Sequence, residues 1–126
     1  MRYLLDASAL LPLVTKLGKE LVNRASREWF ATIDLGVYEA CNSIWKLSTL
    51  IGSLTLDEGI EIADILGELT RREVIHLVDV AGLELPDTLR LACHENLTFY
   101  DASYVTAAKH ESAVLVTEDA KLRESA

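Results

Sequence analysis

Arg2-Tyr3-Leu4-Leu5-Asp6-Ala7-Ser8-Ala9-Leu10-Leu11 changes character at Asp6. Before it, Tyr3-Leu4-Leu5 is an unbroken apolar run, the pattern of a short strand buried on both faces. After it, Asp6-Ala7-Ser8 leads into Ala9-Leu10-Leu11 as a helix begins, with Asp6 where an N-cap belongs. A strand with no polar side needs helices on both faces of its sheet, so this entry predicts the first unit of a parallel α/β fold.

The same unit recurs along the chain. Leu17, Leu21, Val22 and Ala25 keep helical spacing across Gly18 to Arg27, and Trp29-Phe30-Ala31-Thr32-Ile33 predicts a second strand. Asp34 is placed to cap a helix over Leu35 to Leu50, with Val37, Ala40, Cys41, Ile44, Leu47 and Leu50 as its buried stripe and Gly52 as its stop. Thr55-Leu56-Asp57-Glu58 has capping-box form ahead of Ile60, Ile62, Ala63, Leu66 and Leu69. Val74 to Val78 predicts a third strand, and Ala81 to Glu95 a helix that Pro86 starts or kinks. Thr98 to Glu111 predicts a helix with Ala102, Tyr104, Val105 and Ala108 inward. Val114 to Val116 follows as a fourth strand and Glu118 to Arg123 as a last turn or helix. The fold class expected is α/β, three-layer α/β/α, around a central, mainly parallel sheet of four or five strands.

Composition sets the outer limits. The 126 residues, half of them hydrophobic, suit one domain over 1–126 with a sizeable core and no linker or repeat. The longest uncharged stretch, Ala7 to Thr15, is too short to span a membrane. Asp6 interrupts the place where a signal peptide would stay apolar, so a cytoplasmic protein without membrane association is expected. Cys41 and Cys93 form no CxxC pair and are expected to be small buried residues. His76, His94 and His110 have no metal-binding spacing and are expected to be structural or exposed. The net charge of −8 argues against a generic basic surface for nucleic acid, so any such role must rest on a local site. Asp57, Glu58, Glu61, Asp64 and Glu68 read as a solvated helix face, while Lys16, Lys19, Arg24 and Arg27 form a basic cluster.

Four acids carry the chemical signal. Asp6 ends the first strand, and Asp119 lies three residues past Val116. Asp101 opens a helix, and Glu39 sits in the first turns of another on the polar stripe Glu39, Asn42, Ser43 and Lys46. Ligands of open parallel sheets bind beyond the carboxyl ends of the strands, and all four acids are assigned to that edge. Taken singly, each reads as a helix cap or a solvated acid. Together they would repel one another unless a cation lay among them. Carboxylates without His or Cys suit Mg²⁺ or Mn²⁺. Such an ion can polarise a phosphoryl oxygen and activate water, which points to phosphodiester hydrolysis.

The segments Asp6-Ala7-Ser8-Ala9-Leu10, Tyr38-Glu39-Ala40-Cys41-Asn42, Thr98-Phe99-Tyr100-Asp101-Ala102-Ser103-Tyr104 and Leu115-Val116-Thr117-Glu118-Asp119-Ala120-Lys121-Leu122 resemble, in order, the motifs of PIN-domain ribonucleases, most closely the VapC toxins. The resemblance spans nearly the whole chain and implies a PIN-like fold. It implies metal ligation or water activation by Asp6, Glu39, Asp101 and Asp119, with Ser8, Thr117 and Asn42 in support. It further implies cleavage of RNA with Mg²⁺ or Mn²⁺, a homodimer and, in the toxin branch, a small cognate antitoxin. Two departures stand out. The chain stops seven residues after Asp119, where many relatives continue into a further strand, so the sheet edge there needs other cover, such as a partner chain. Glu118 beside Asp119 leaves two acids competing for one role.

Other classes fit less well. A phosphoacceptor receiver domain would use Asp79 after the third strand, but it needs paired acids after the first strand and a Lys after a fifth. A haloacid-dehalogenase phosphatase needs Asp-x-Asp, and Ser8 stands at the second position. Ser43-Ile44-Trp45-Lys46 matches S-x-x-K without its companion motifs. An RNA-processing PIN nuclease outside a toxin system, or a PIN-like protein that binds RNA without cutting it, shares every motif. Trp29 and Trp45 are expected to be buried or dimer-facing, and Lys46 and Lys109 to contact phosphate.

Overall fold

Leu4 and Leu5 are neighbours in β1 (Arg2–Leu5), yet each enters a different core, because successive side chains of a strand point to opposite faces of the sheet. The structure, a computed structural model, describes residues 1–126. β1 pairs in parallel with β2 (Trp29–Ile33) on one side and β4 (Val114–Val116) on the other, and β2 pairs with β3 (Ile75–Val78). The order is β3-β2-β1-β4, four strands, all parallel.

The helices cover both faces. On one, Leu5, Phe30 and Ile75 pack against α1 (Ala7–Leu17), α2 (Leu21–Arg24), α3 (Asp34–Lys46) and α4 (Leu56–Arg71), through Leu10, Val14, Leu21, Ala40, Leu66 and Leu69. On the other, Leu4, Ala31, Ile33 and Val78 pack against α6 (Phe99–His110) and α7 (Ala120–Ser125), with Leu91 of α5 (Leu85–Glu95) alongside. No helix is long and apolar enough to cross a membrane.

Several local expectations need correction. The stretch after α1 is not one helix: Gly18 adopts a left-handed φ of 52° and hands over to a 3₁₀ turn (Gly18–Glu20) before the short α2. Asp34 does not cap α3. It is the first helical residue, and Ile33 holds the cap position without a side-chain bond. The helix ends as a π-helical turn (Leu47–Ile51) stopped by Gly52 at φ 77°.

The buried face of α3 is narrower than its apolar residues suggest. Ala40 and Ile44 are buried, whereas Cys41 is exposed and Leu50 is 68 % exposed. Cys93 is exposed as well, so neither cysteine is the core residue expected: each follows a buried alanine and is turned about 100° away from it. The capping box at α4 is complete, with Glu58 N–H donating to Thr55 Oγ1 at 3.1 Å and Thr55 N–H donating to Glu58 Oε1 at 2.9 Å. Pro86 lies in the first turn of α5, where its missing N–H costs nothing.

The sheet has four strands, and the outer edge of β4 pairs with no further strand. β4 is only three residues long. Beyond it, the Thr117 carbonyl accepts from Arg123 Nη2 at 2.5 Å, and Leu122, 1 % exposed, pins α7 to the core. A short edge strand is one ordinary way of limiting an open edge.

Candidate active site

From β1 the chain order runs to β2 and β3 on one side, while β4 lies on the other. The carboxyl ends of β1 and β4 therefore flank the switch point, where an open parallel sheet leaves a crevice. Asp6 occupies it, as N-cap of α1 and 5 % exposed. Its Oδ1 accepts from Ser8 Oγ at 2.6 Å and from Ala9 N–H at 3.1 Å, and its Oδ2 accepts from Thr117 Oγ1. Ser8 Oγ in turn accepts from Glu118 N–H at 2.9 Å, and Thr117 Oγ1 from Asp119 N–H at 3.0 Å. The turns after β1 and β4 are thus laced together through one carboxylate. A carboxylate offers about four lone-pair positions. Three are taken, and the one left is on Oδ2.

The other acids arrive from helix starts. Asp101 is the third residue of α6, and its N–H donates to the Thr98 N-cap hydroxyl at 3.1 Å. Burial pushes its carboxyl above the usual carboxylate range, and the nearby charges of Asp119 and Asp6 add to that, against the Thr98 hydroxyl and the Lys121 ammonium. Asp119 caps α7, its Oδ1 accepting from Leu122 N–H at 3.1 Å. Glu39, in the second turn of α3, accepts through Oε1 from the Tyr104 hydroxyl at 2.5 Å. Tyr104 is 2 % exposed, and burial, reinforced by the charge of Glu39, keeps its phenol protonated far above the ordinary range. Through this bond Tyr104 joins α6 to α3.

All four acids line one cleft of about 500 Å³, together with Ser8, Asn42, Ser43, Lys46, Tyr38 and Tyr104. Thr117 is buried behind Asp6 and acts on the cleft only through it. Of the two adjacent acids, Asp119 lines the cleft; Glu118 is exposed and serves the site through its backbone N–H. Asn42 is in the wall but bonds to none of the four acids. Lys46 is in the wall too, whereas Lys109 lies elsewhere, in a hollow with Glu84, Asp87 and His94 between α5 and α6.

Three further positions fall outside the site. Asp79 caps the 3₁₀ turn Val80–Gly82 by accepting from Gly82 N–H at 3.2 Å, away from the cleft, so it lacks the acidic surroundings a phosphoacceptor needs. Trp29, at the amino end of β2, is sandwiched between the Arg2 guanidinium, 3.8 Å from its centroid, and the His76 ring at 5.1 Å. Trp45 is 52 % exposed, so of the two alternatives expected for it, burial within the chain does not hold. Sequence reasoning placed Tyr104 inward but missed its hydroxyl as the partner of Glu39. The available signal was its position three residues after Asp101, on the same face of one helix.

The donor set is oxygen only, which matches Mg²⁺ or Mn²⁺ and not zinc. No three acidic, His or Cys side chains are drawn together tightly enough to enclose an ion by themselves. Yet Asp6 and Asp119 are near enough to Asp101 for their charges to raise its carboxyl further. The two observations are compatible, because Mg²⁺ keeps several waters and is commonly held by one or two carboxylates directly.

A wholly parallel sheet with four carboxylates lining one cleft at its switch point, and no His or Cys among them, agrees with the resemblance to PIN-domain proteins. No family profile matches the chain. Two curated proteins of Pyrobaculum aerophilum do. Exonuclease VapC9 is 34 % identical over 122 residues, covering 97 % of this chain and 84 % of that protein. Ribonuclease VapC3 is 32 % identical over 127 residues, covering 98 % and 94 %. Among solved structures, that of PAE2754 from the same organism superposes with a TM-score of 0.77 at 31 % identity, covering 99 % of this chain and 79 % of that one. The chain belongs to the VapC family of PIN-domain nucleases.

Proposed function

We propose that this protein is a Mg²⁺- or Mn²⁺-dependent endoribonuclease that hydrolyses RNA phosphodiester bonds as the toxin of a toxin–antitoxin pair. The observation that carries the reading is the meeting of Asp6, Glu39, Asp101 and Asp119 in one cleft at the sheet's switch point. These four would hold the cation, directly or through its waters. When bound, the ion supplies charge neutralisation at the phosphoryl oxygens and an activated water. The chain's own work is positioning. Ser8, Ala9 and Thr117 orient Asp6, the Thr98 cap fixes the turn that presents Asp101, and Tyr104 holds Glu39.

A small cognate antitoxin, a homodimer and a cytoplasmic setting belong to the same reading. Trp45, Leu50, Ile51, Leu56 and Ile60 leave an exposed apolar surface around the α3–α4 connection that such contacts would use. An RNA-processing nuclease outside a toxin pair would have the same site. It differs in having no antitoxin that suppresses cleavage.

The test is incubation of the pure protein with linear and circular single-stranded RNAs, with Mg²⁺, with Mn²⁺ and with EDTA. Cleavage of both RNAs that EDTA abolishes and either metal restores is the expected result. Cleavage of linear RNA alone would favour the exonucleolytic mode named for VapC9. Cleavage that survives EDTA would overturn the metal site.

Tyr104→Phe removes one hydroxyl and little volume, leaving Glu39 without its partner. Cleavage is expected to fall by roughly 10- to 100-fold, the usual cost of losing a group that orients a ligand. Calorimetric titration of Mn²⁺ should show weaker binding in parallel. Unchanged Mn²⁺ affinity and rate would remove Tyr104 from the machinery.

A further inference from the structure

The cleft does not end at the acids. Along α3 its wall continues from Glu39 through Asn42 and Ser43 to Lys46, positions i, i+3, i+4 and i+7 on one helix face. The character of this wall changes with distance: a carboxylate first, then neutral donors, then a cation. Lys46 is exposed, and the chain's four ion pairs, Arg2–Glu111, Arg71–Glu68, Arg90–Asp87 and His110–Glu111, leave it out. Seven residues of helix place its Cα roughly 10 Å from that of Glu39. Lys46 therefore stands beyond the phosphate that the acids would hold, farther along the wall. It is within reach of a neighbouring one, since a stacked strand advances about 3.4 Å per nucleotide.

Tyr38 stands next to Glu39 on the same wall with 77 % of its surface exposed, an aromatic ring presented to solvent beside the acids. In a chain of net charge −8, Lys46 is the one cation in the lining of this cleft, and a local positive charge beside a groove raises the concentration of a polyanion there.

We propose that the α3 wall is the binding track for a single-stranded RNA substrate, with Lys46 contacting a backbone phosphate flanking the scissile one and Tyr38 stacking on a base. The proposal rests on the nuclease reading above and adds how the strand is held. Phosphate contacts position a strand without reading its bases, so Lys46 serves affinity and register, not sequence choice.

The test uses the full chain carrying Asp101→Asn to stop cleavage. Binding of a fluorescein-labelled single-stranded RNA is followed by anisotropy at fixed Mg²⁺ between about 50 and 200 mM monovalent salt. Adding Lys46→Met should flatten the plot of log K against log salt by about 0.7, the loss of one phosphate contact, and Lys46→Arg should restore it. Lys109→Met, outside the cleft, should leave the slope unchanged. Tyr38→Ala should weaken binding roughly tenfold with no change of slope. An unaltered slope in Lys46→Met, or an equal fall in Lys109→Met, overturns the track. Binding with an unaltered slope would leave the nuclease reading standing. Absence of RNA binding at every salt concentration, together with no metal-dependent cleavage by the unmutated protein, would overturn both.

Discussion

Asp6→Asn is expected to reduce RNA cleavage by roughly 10²–10³-fold or more while the protein stays folded. The substitution changes charge without changing shape, and Asp6 is the acid on which the geometry depends most. Its Oδ1 already serves Ser8 and Ala9, and the amide oxygen of Asn can take over both bonds. The amide nitrogen would then face Thr117 Oγ1, which also receives the N–H of Asp119. The hydroxyl could accept from both, but its own O–H would lose the carboxylate oxygen that now accepts it, and the Oδ2 lone pair left for a cation would be gone.

The turn carrying Asp119 is therefore expected to loosen along with the loss of charge. Stability should fall by about 1–2 kcal/mol, as the charge-assisted bond from Thr117 is lost. Cleavage assays and thermal melts on the same preparations check this. A rate within tenfold of the unmutated protein would remove Asp6 from the site. A chain that fails to fold would show that Asp6 is chiefly a helix cap.

Gly36→Ala is expected to cost about 3 kcal/mol, toward the upper end for overpacking a core. Gly36 is buried in the first turn of α3. A methyl there would overlap Thr32 Oγ1, with Thr32 Cβ and Tyr104 Oη each at 3.4 Å. Thr32 cannot simply turn away. It is fully buried, and its hydroxyl donates to the Leu5 carbonyl at 2.7 Å, one residue before Asp6. The clash would be passed to β1 on one side and to the Tyr104–Glu39 bond on the other.

Chemical denaturation of Gly36→Ala, Thr32→Ala and the double variant forms a cycle that isolates the clash. The double variant should be less destabilised than the sum of the singles by 1 kcal/mol or more, as expected for residues in contact. Simple additivity would show that the site has room to relax. Cleavage by Gly36→Ala should fall further than stability alone predicts, since Tyr104 and β1 both lead to acids that line the cleft.

The alternation of β1, α1, β2, α3, β3, α6 and β4 was legible along the chain because both periodicities are local. Apolar runs without a polar side demanded a doubly covered parallel sheet, and Thr55 with Glu58 announced the start of α4. Burial within helices was less legible. Val37, Ala40, Cys41, Ile44, Leu47 and Leu50 share a helical spacing, but which of them faces the core depends on how closely α4 approaches. Gly59 sets that approach, since a methyl there would meet Ile44 Cγ2 and Ser48 Oγ at 3.0 Å. Cys41 and Leu50 fall outside the contact that results.

The four acids could be named in sequence because their positions relative to strand ends and helix starts are also local facts, and the order of their motifs resembles one family. What they share could not be read there. Asp6 and Thr117 lie far apart in the chain and meet only because β4 pairs with β1 instead of extending the sheet beyond β3. Tyr104 reaches Glu39 because α3 and α6, on opposite faces, both begin at the carboxyl edge of the sheet. Of Glu118 and Asp119, only Asp119, the cap of α7, lines the cleft. Local spacing determined which elements form and which residues carry charge. Strand order and helix closure are long-range packing outcomes, and they decided which carboxylates share a cleft and which side chains hold them there.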